Sequence, residues 1–173
     1  MNLRAILLLC LVPALAPADS FTLTVGSYQK GSSPIHAHTW LVMVRTTDDS
    51  QQERLCVSWM TASDRVRLLH GPDSGENWSE ARTLEWAEKI GAKVTTWGPY
   101  PATVGLWNRA CVQTYALASG RVGYVALDGR YRPGATNCIH AVSDITGWRL
   151  NTGLAYGERA SLMVLDHLLR TMR

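Results

Sequence analysis

One phenylalanine stands in a chain of 173 residues, and charged side chains make up only 18% of it. There is no Cys-x-x-Cys pair and no His-Glu-x-x-His run. The compact ligand spacings of structural zinc and of zinc peptidases are therefore missing. Like charges form no block, and 17 basic against 14 acidic side chains leave a formal charge of +3. A balance that small argues for neither nucleic acid nor a charged membrane surface as partner. Internal repeats, low-complexity tracts and long linkers are also missing, so a single domain is expected. The longest apolar stretch, Ala5 to Leu15, is interrupted by Pro13 and is too short to span a bilayer.

That stretch reads instead as an address. Arg4 gives a short positive start, Ala5 to Leu15 an apolar core, and Ala16-Pro17-Ala18 a small-x-small cleavage pattern before Asp19. A signal peptide over 1–18 is expected, with a mature domain over 19–173 that is secreted or periplasmic. Reading Cys10 as a lipid-anchored cysteine is the alternative, against which Leu9 is too large a neighbour. Without Arg4 the mature chain has 16 basic and 14 acidic residues, a balance near +2. About 155 residues suffice for one domain with a real core. The seven tryptophans are expected to be mostly packing residues, and no cluster of them demands a sugar-stacking platform.

Alternation and helical spacing outline the domain. Phe21 to Val25 reads as a strand, and Ile35 to Arg45 as a second with Trp40, Val42 and Val44 on one face. Asp48-Asp49-Ser50 is a turn, and Leu55 to Thr61 returns antiparallel. Ser79 can cap a helix carrying Leu84, Ala87 and Ile90 up to Gly91. Lys93 to Trp97 is a short strand broken by Gly98-Pro99-Tyr100-Pro101. A helix follows over about 102–118, then a strand from Arg121 to Asp128, a loop from Gly129 to Thr136, and a terminal helix opened by Gly157. His70 beside Gly71-Pro72 reads as a turn residue, and His167 as the polar side of the last helix.

Three cysteines remain after processing, an odd number in a disulfide-permissive compartment. Cys56 on a strand and Cys111 on a helix either pair with each other or stay as two buried thiols. Cys138 is the one whose surroundings suggest chemistry. Asn137 is a strong helix cap, which places Cys138 at the first helical position, where unpaired amides and the helix dipole favour a thiolate. His140 falls about 200° around that helix from Cys138, so it is a poor base. About a hundred residues earlier, His36 and His38 share one side of an extended segment with Trp40. His38, nearer the apolar part of the strand, is the better-held imidazole, and His36 the weaker choice. Both could instead chelate zinc with Cys138 as third ligand, although that set is incomplete. An ordinary capped helix with a buried cysteine, and strand-opening polar histidines, would account for the same residues.

A strand-borne histidine, a returning strand, intervening helices and then Asn137-Cys138-Ile139-His140 resemble the circularly permuted branch of papain-like thiol hydrolases. This NlpC-like group includes lecithin:retinol acyltransferase-like proteins and PPPDE domains. The resemblance covers roughly His36 to Ile145, and its specific part is the two short motifs. It implies an α+β fold with an antiparallel sheet packed on helices, Cys138 as nucleophile at a helix start and His38 as its base. Ser58 on the returning strand would be the third, orienting group, and Ala141 stands where several such families carry an aromatic residue. The implied activity is hydrolysis or acyl transfer at an amide, ester or thioester, with a peptide, cell-wall or acyl substrate and no cofactor or metal. The other class of function is a catalytically inactive domain of the same fold that binds a partner through a tryptophan-rich surface. Asn77-Trp78-Ser79 is a glycosylation sequon if the host is eukaryotic.

Overall fold

The computed structural model describes residues 19–63, 65–68, 71–127 and 134–172. The expected signal peptide, His70 and most of the Gly129 to Thr136 loop lie outside them. The domain is α+β, with antiparallel strands packed against helices. Its main sheet contains β1 (Ser20–Gln29), β2 (Ala37–Thr46), β3 (Gln52–Val57) and β6 (Lys93–Pro101) in the order β3-β2-β1-β6. A smaller sheet holds β4 (Trp59–Thr61), β5 (Asp73–Asn77), β7 (Gly123–Tyr124) and β8 (Ala135–Thr136), ordered β4-β5-β7-β8. Among the described residues four α-helices complete it: α1 (Glu80–Lys89), α2 (Val104–Ala118), α3 (Cys138–Ser143) and α4 (Gly157–Thr171).

Strand alternation divides the core in two. Leu23, Val25, Leu41, Met43 and Val57 face one side, where they meet Leu106 and Ala110 of α2, Ala141 and Val142 of α3, and Val164 and Leu168 of α4. Tyr28, Trp40, Val42 and Cys56 face the other and are covered by Trp86, Ala87 and Ile90 of α1. This sidedness decides the question of the cysteines. Cys56 packs beneath α1 and Cys111 is carried by α2, on opposite faces of the sheet, and both are free thiols. Burial pushes Cys56 up to about 12 and raises Cys111 as well.

Ser79 caps α1 as its sequence suggests, accepting from the Arg82 amide at 3.2 Å. The β2–β3 hairpin pairs antiparallel, with Val42 opposite Cys56. Several boundaries differ from the sequence reading: β1 runs on past Val25 to Gln29, and β2 begins at Ala37. The Gly98-Pro99-Tyr100-Pro101 run does not end β6, which continues through a bulge opposite Leu23 and Val25. Its prolines are tolerated because β6 is an edge strand with one unpaired side. Gly98 sits at φ +127°, and a Cβ there would lie 2.6 Å from the Leu23 carbonyl oxygen. The expected strand from Arg121 contracts to Gly123–Tyr124, with Asp128 beyond the described residues. The returning strand Leu55 to Thr61 is cut at Ser58, where the chain leaves the main sheet for the smaller one.

Tryptophans set the interior. Trp40, Trp59 and Trp78 are fully buried, Trp107 nearly so, and Trp148 is largely exposed. Trp86 and Trp97 are half-buried, so most of the tryptophans serve packing. Trp40 lies across Gly26, its partner in the neighbouring strand, and a Cβ on Gly26 would come within 2.1 Å of the indole. Gly26→Ala should cost about 3 kcal/mol, because a buried indole flanked by β-sheet backbone has nowhere to move. Urea unfolding checks this, and a loss within the usual surface range of about 0.5 kcal/mol would refute the packing argument.

Candidate active site

β8 runs directly into α3 and sets the nucleophile's position. Thr136 pairs with Tyr124 in parallel register, the next residue caps the helix, and Cys138 is its first turn. Asn137 accepts the His140 amide on Oδ1 at 2.8 Å, as its residue type leads one to expect. The amides of Thr39, Ile139 and Cys138 itself approach the sulfur and favour the thiolate. Burial opposes them and prevails. Cys138 is 7% exposed, and its thiol is pushed up to about 11. The expected lowering by the helix start is thus reversed, because a few amides of a six-residue helix replace less solvation than burial removes.

His38 is the second residue of β2 and only 1% exposed. Its ring lies 5.2 Å from that of Tyr28, its partner across the strand pair, and nearly parallel to Trp40 at 6.2 Å. Nε2 stands 2.8 Å from Ser58 Oγ, while Nδ1 is buried without a hydrogen-bond partner. Burial lowers the imidazole to about 3, so it is neutral at ordinary pH. Ser58 is held firmly. Its backbone amide donates to Asn77 Oδ1 at 2.8 Å, its carbonyl accepts from the Trp78 amide at 2.8 Å, and its hydroxyl lies 2.7 Å from Thr83 Oγ1 of α1. Asn77 also donates from Nδ2 to the Cys56 carbonyl at 2.9 Å. Its amide is engaged at both ends, so the sequon asparagine serves the fold.

His38, Thr39, Asn137, Cys138 and His140 line one cavity of about 280 Å³. His140, expected to face away, is in its wall, with Nε2 3.1 Å from the Leu150 carbonyl oxygen. His36 is a correction of another kind. It ends a 3-10 turn, Pro34–His36, instead of sharing a strand face with His38, and it is exposed and outside the lining. The His36, His38 and Cys138 ligand set does not assemble, and no group of three His, Cys, Asp or Glu among the described residues could hold a metal. No helix of the described residues is long and apolar enough to cross a membrane.

Sequence reasoning missed Tyr124, Thr39, Asn77 and Thr83. Tyr124 lines the cavity and is electrostatically coupled to Cys138, and burial raises its phenol well above its ordinary value, so it stays protonated. Thr39 bonds Ser161 of α4 at 2.7 Å and so ties the strand end beside the sulfur to a helix. Only Asn77 carried a signal, and as a sequon it pointed elsewhere.

Fold and site define an α+β protein with a helix-capped cysteine and a strand-borne histidine on one cavity. No family model, no curated protein and no solved structure matches the chain.

Proposed function

We propose that this chain is a thiol hydrolase or acyltransferase of the permuted papain-like type, exported as a secreted or periplasmic protein. Cys138 attacks the carbonyl of an ester, thioester or amide. Nδ1 of His38 takes the thiol proton and returns it to the leaving group, and the acyl-enzyme is then resolved by water or another acceptor. The amides of Cys138 and Ile139, which approach the sulfur at the helix start, are the donors for the oxyanion once the thiol has attacked. The observation that carries this reading is the meeting of His38 and Cys138, from elements a hundred positions apart, on the lining of one cavity. In the resting state Nδ1 has no partner, and the ring packs beside Tyr28 and Trp40 on the α1 side of the sheet, so proton transfer requires the ring to move toward the sulfur as the carbonyl is seated.

The lining also bears on the substrate. Val66, Leu68, Leu127, Ile139 and Leu154 contribute to it, and no Asp, Glu, Lys or Arg appears among its described residues. An uncharged acyl group suits such a wall better than a charged cell-wall peptide. A non-catalytic binding module is the second reading, favoured by the neutral thiol and by the lack of a partner at Nδ1 of His38.

One experiment separates the two. Incubation with p-nitrophenyl hexanoate should give a burst of nitrophenol and an acyl adduct located on Cys138 by mass spectrometry. Cys138→Ala should lower turnover by about a thousandfold or more. Turnover that survives the substitution, with no adduct on Cys138, would leave only the binding module.

A further inference from the structure

We propose that Thr83, a helix residue outside the cavity, is a positioning residue that fixes which nitrogen of His38 carries the proton. The direction of three hydrogen bonds leads to this. A carbonyl only accepts, so the 2.9 Å contact between Thr83 Oγ1 and the Ser79 carbonyl uses the single hydroxyl proton of Thr83. The 2.7 Å contact between Thr83 and Ser58 must then use the proton of Ser58. With that proton committed, the 2.8 Å contact between Ser58 and His38 requires a proton on Nε2. A neutral imidazole has only one, and burial keeps His38 neutral. Nδ1 is therefore a bare lone pair, and it is the buried ring atom without a partner.

The reverse order would strand a buried N–H at Nδ1 without a partner and release Thr83 from Ser79. Orphaned buried N–H groups are rarer than under-satisfied acceptors. The relay crosses from β2 through the sheet switch at Ser58 to α1, so the helix covering the far face of the sheet holds the tautomer. Asn77 contributes by gripping the Ser58 backbone, which aims its hydroxyl. Resting on the reading above, the consequence is that the relay leaves free the one nitrogen able to receive the Cys138 proton. Thr83 touches no substrate and acts through Ser58 alone.

Long-range ¹H–¹⁵N spectra of the uniformly labelled protein at neutral pH read the tautomer directly, with the His38 ring assigned by its loss in His38→Gln. The Nε2–H form should dominate by roughly tenfold, the weight of one directed hydrogen bond. Thr83→Val, which keeps shape but removes the hydroxyl, should bring the two forms to within about threefold, because Ser58 is then free to donate to the ring. Thr83→Ser should restore the original ratio. Cys138→Ala should leave it unchanged, since the relay does not involve the thiol. Dominance of Nδ1–H in the unsubstituted protein overturns the proposal even if Thr83→Val fails to fold. Equal ratios in the Val and Ser variants overturn it as well. The tautomer is a ground-state property, so this result and that of the acyl-ester experiment can fail separately.

Discussion

Between pH 6.5 and 4.5 the protein should lose about 2–3 kcal/mol of stability through His38 alone. Its imidazole is held down to about 3 in the folded state, against an ordinary value of 6.5. Below pH 6.5 the unfolded chain binds a proton at this residue that the folded chain refuses. Stability supplied by the buried neutral ring is thus complete above pH 6.5 and is lost as pH falls towards 3. The ion pairs of Arg45 with Asp19 and Glu53, and of Arg82 with Glu76, lie at or near the surface and contribute little to this slope. Urea unfolding across the window measures it. His38→Gln, whose amide N–H can still reach Ser58, should flatten the curve whatever it does to stability at pH 7. Parallel curves for the two proteins would mean that His38 accepts a proton in the folded state, and the burial argument would fall.

The elements were legible wherever a local signal was strong. Asn137 and Ser79 announced their helices because capping is a contact between residues three apart. The hairpin of β2 and β3 was legible because alternation and a turn are local too. What stayed hidden depends on residues distant in the chain. The cut at Ser58 cannot be seen in Leu55 to Thr61, since the group that breaks the strand is the amide of Asn77. The length of β6 follows from its place at a sheet edge, which the Gly98-Pro99 run does not disclose. His36 and His38 look equivalent at spacing two until Pro34 starts a 3-10 turn and removes His36 from the strand.

The site follows the same division. Cys138, Asn137 and His38 were named from their types and neighbours, and the structure brings all three to one cavity. Their charge states were not legible, because a pKa reports burial, and burial is a property of the assembled core. Helix-start amides and a nearby imidazole suggested a thiolate. Instead the core faces of β2, α3 and α4 enclose the sulfur, and the indole and phenol rings of Trp40 and Tyr28 flank the histidine. Thr83 was unreadable for a simpler reason, as nothing in a helix sequence tells which side chain will meet a loop serine 25 residues away.

Alkylation of Cys138 by iodoacetamide should therefore rise about tenfold per pH unit from pH 7 to 10 and level only near 11. The rate follows the thiolate fraction, and burial keeps that fraction small until strongly alkaline pH. The thiolate expected from the motif is therefore not populated at mildly acidic pH, because neither the helix start nor a neutral His38 offsets the burial of the sulfur. His38→Gln should change the alkylation rate by less than about threefold at pH 8, since a neutral imidazole does not stabilise the thiolate. The same substitution should abolish acylation by p-nitrophenyl hexanoate, where a base must take the proton as the carbonyl is attacked. That split would separate a base recruited during attack from a standing thiolate–imidazolium pair. Rapid labelling of Cys138 at pH 6 that collapses in His38→Gln would establish the standing pair and overturn the charge states derived from burial. Counting label at each cysteine by mass spectrometry keeps Cys56 and Cys111 out of the reading.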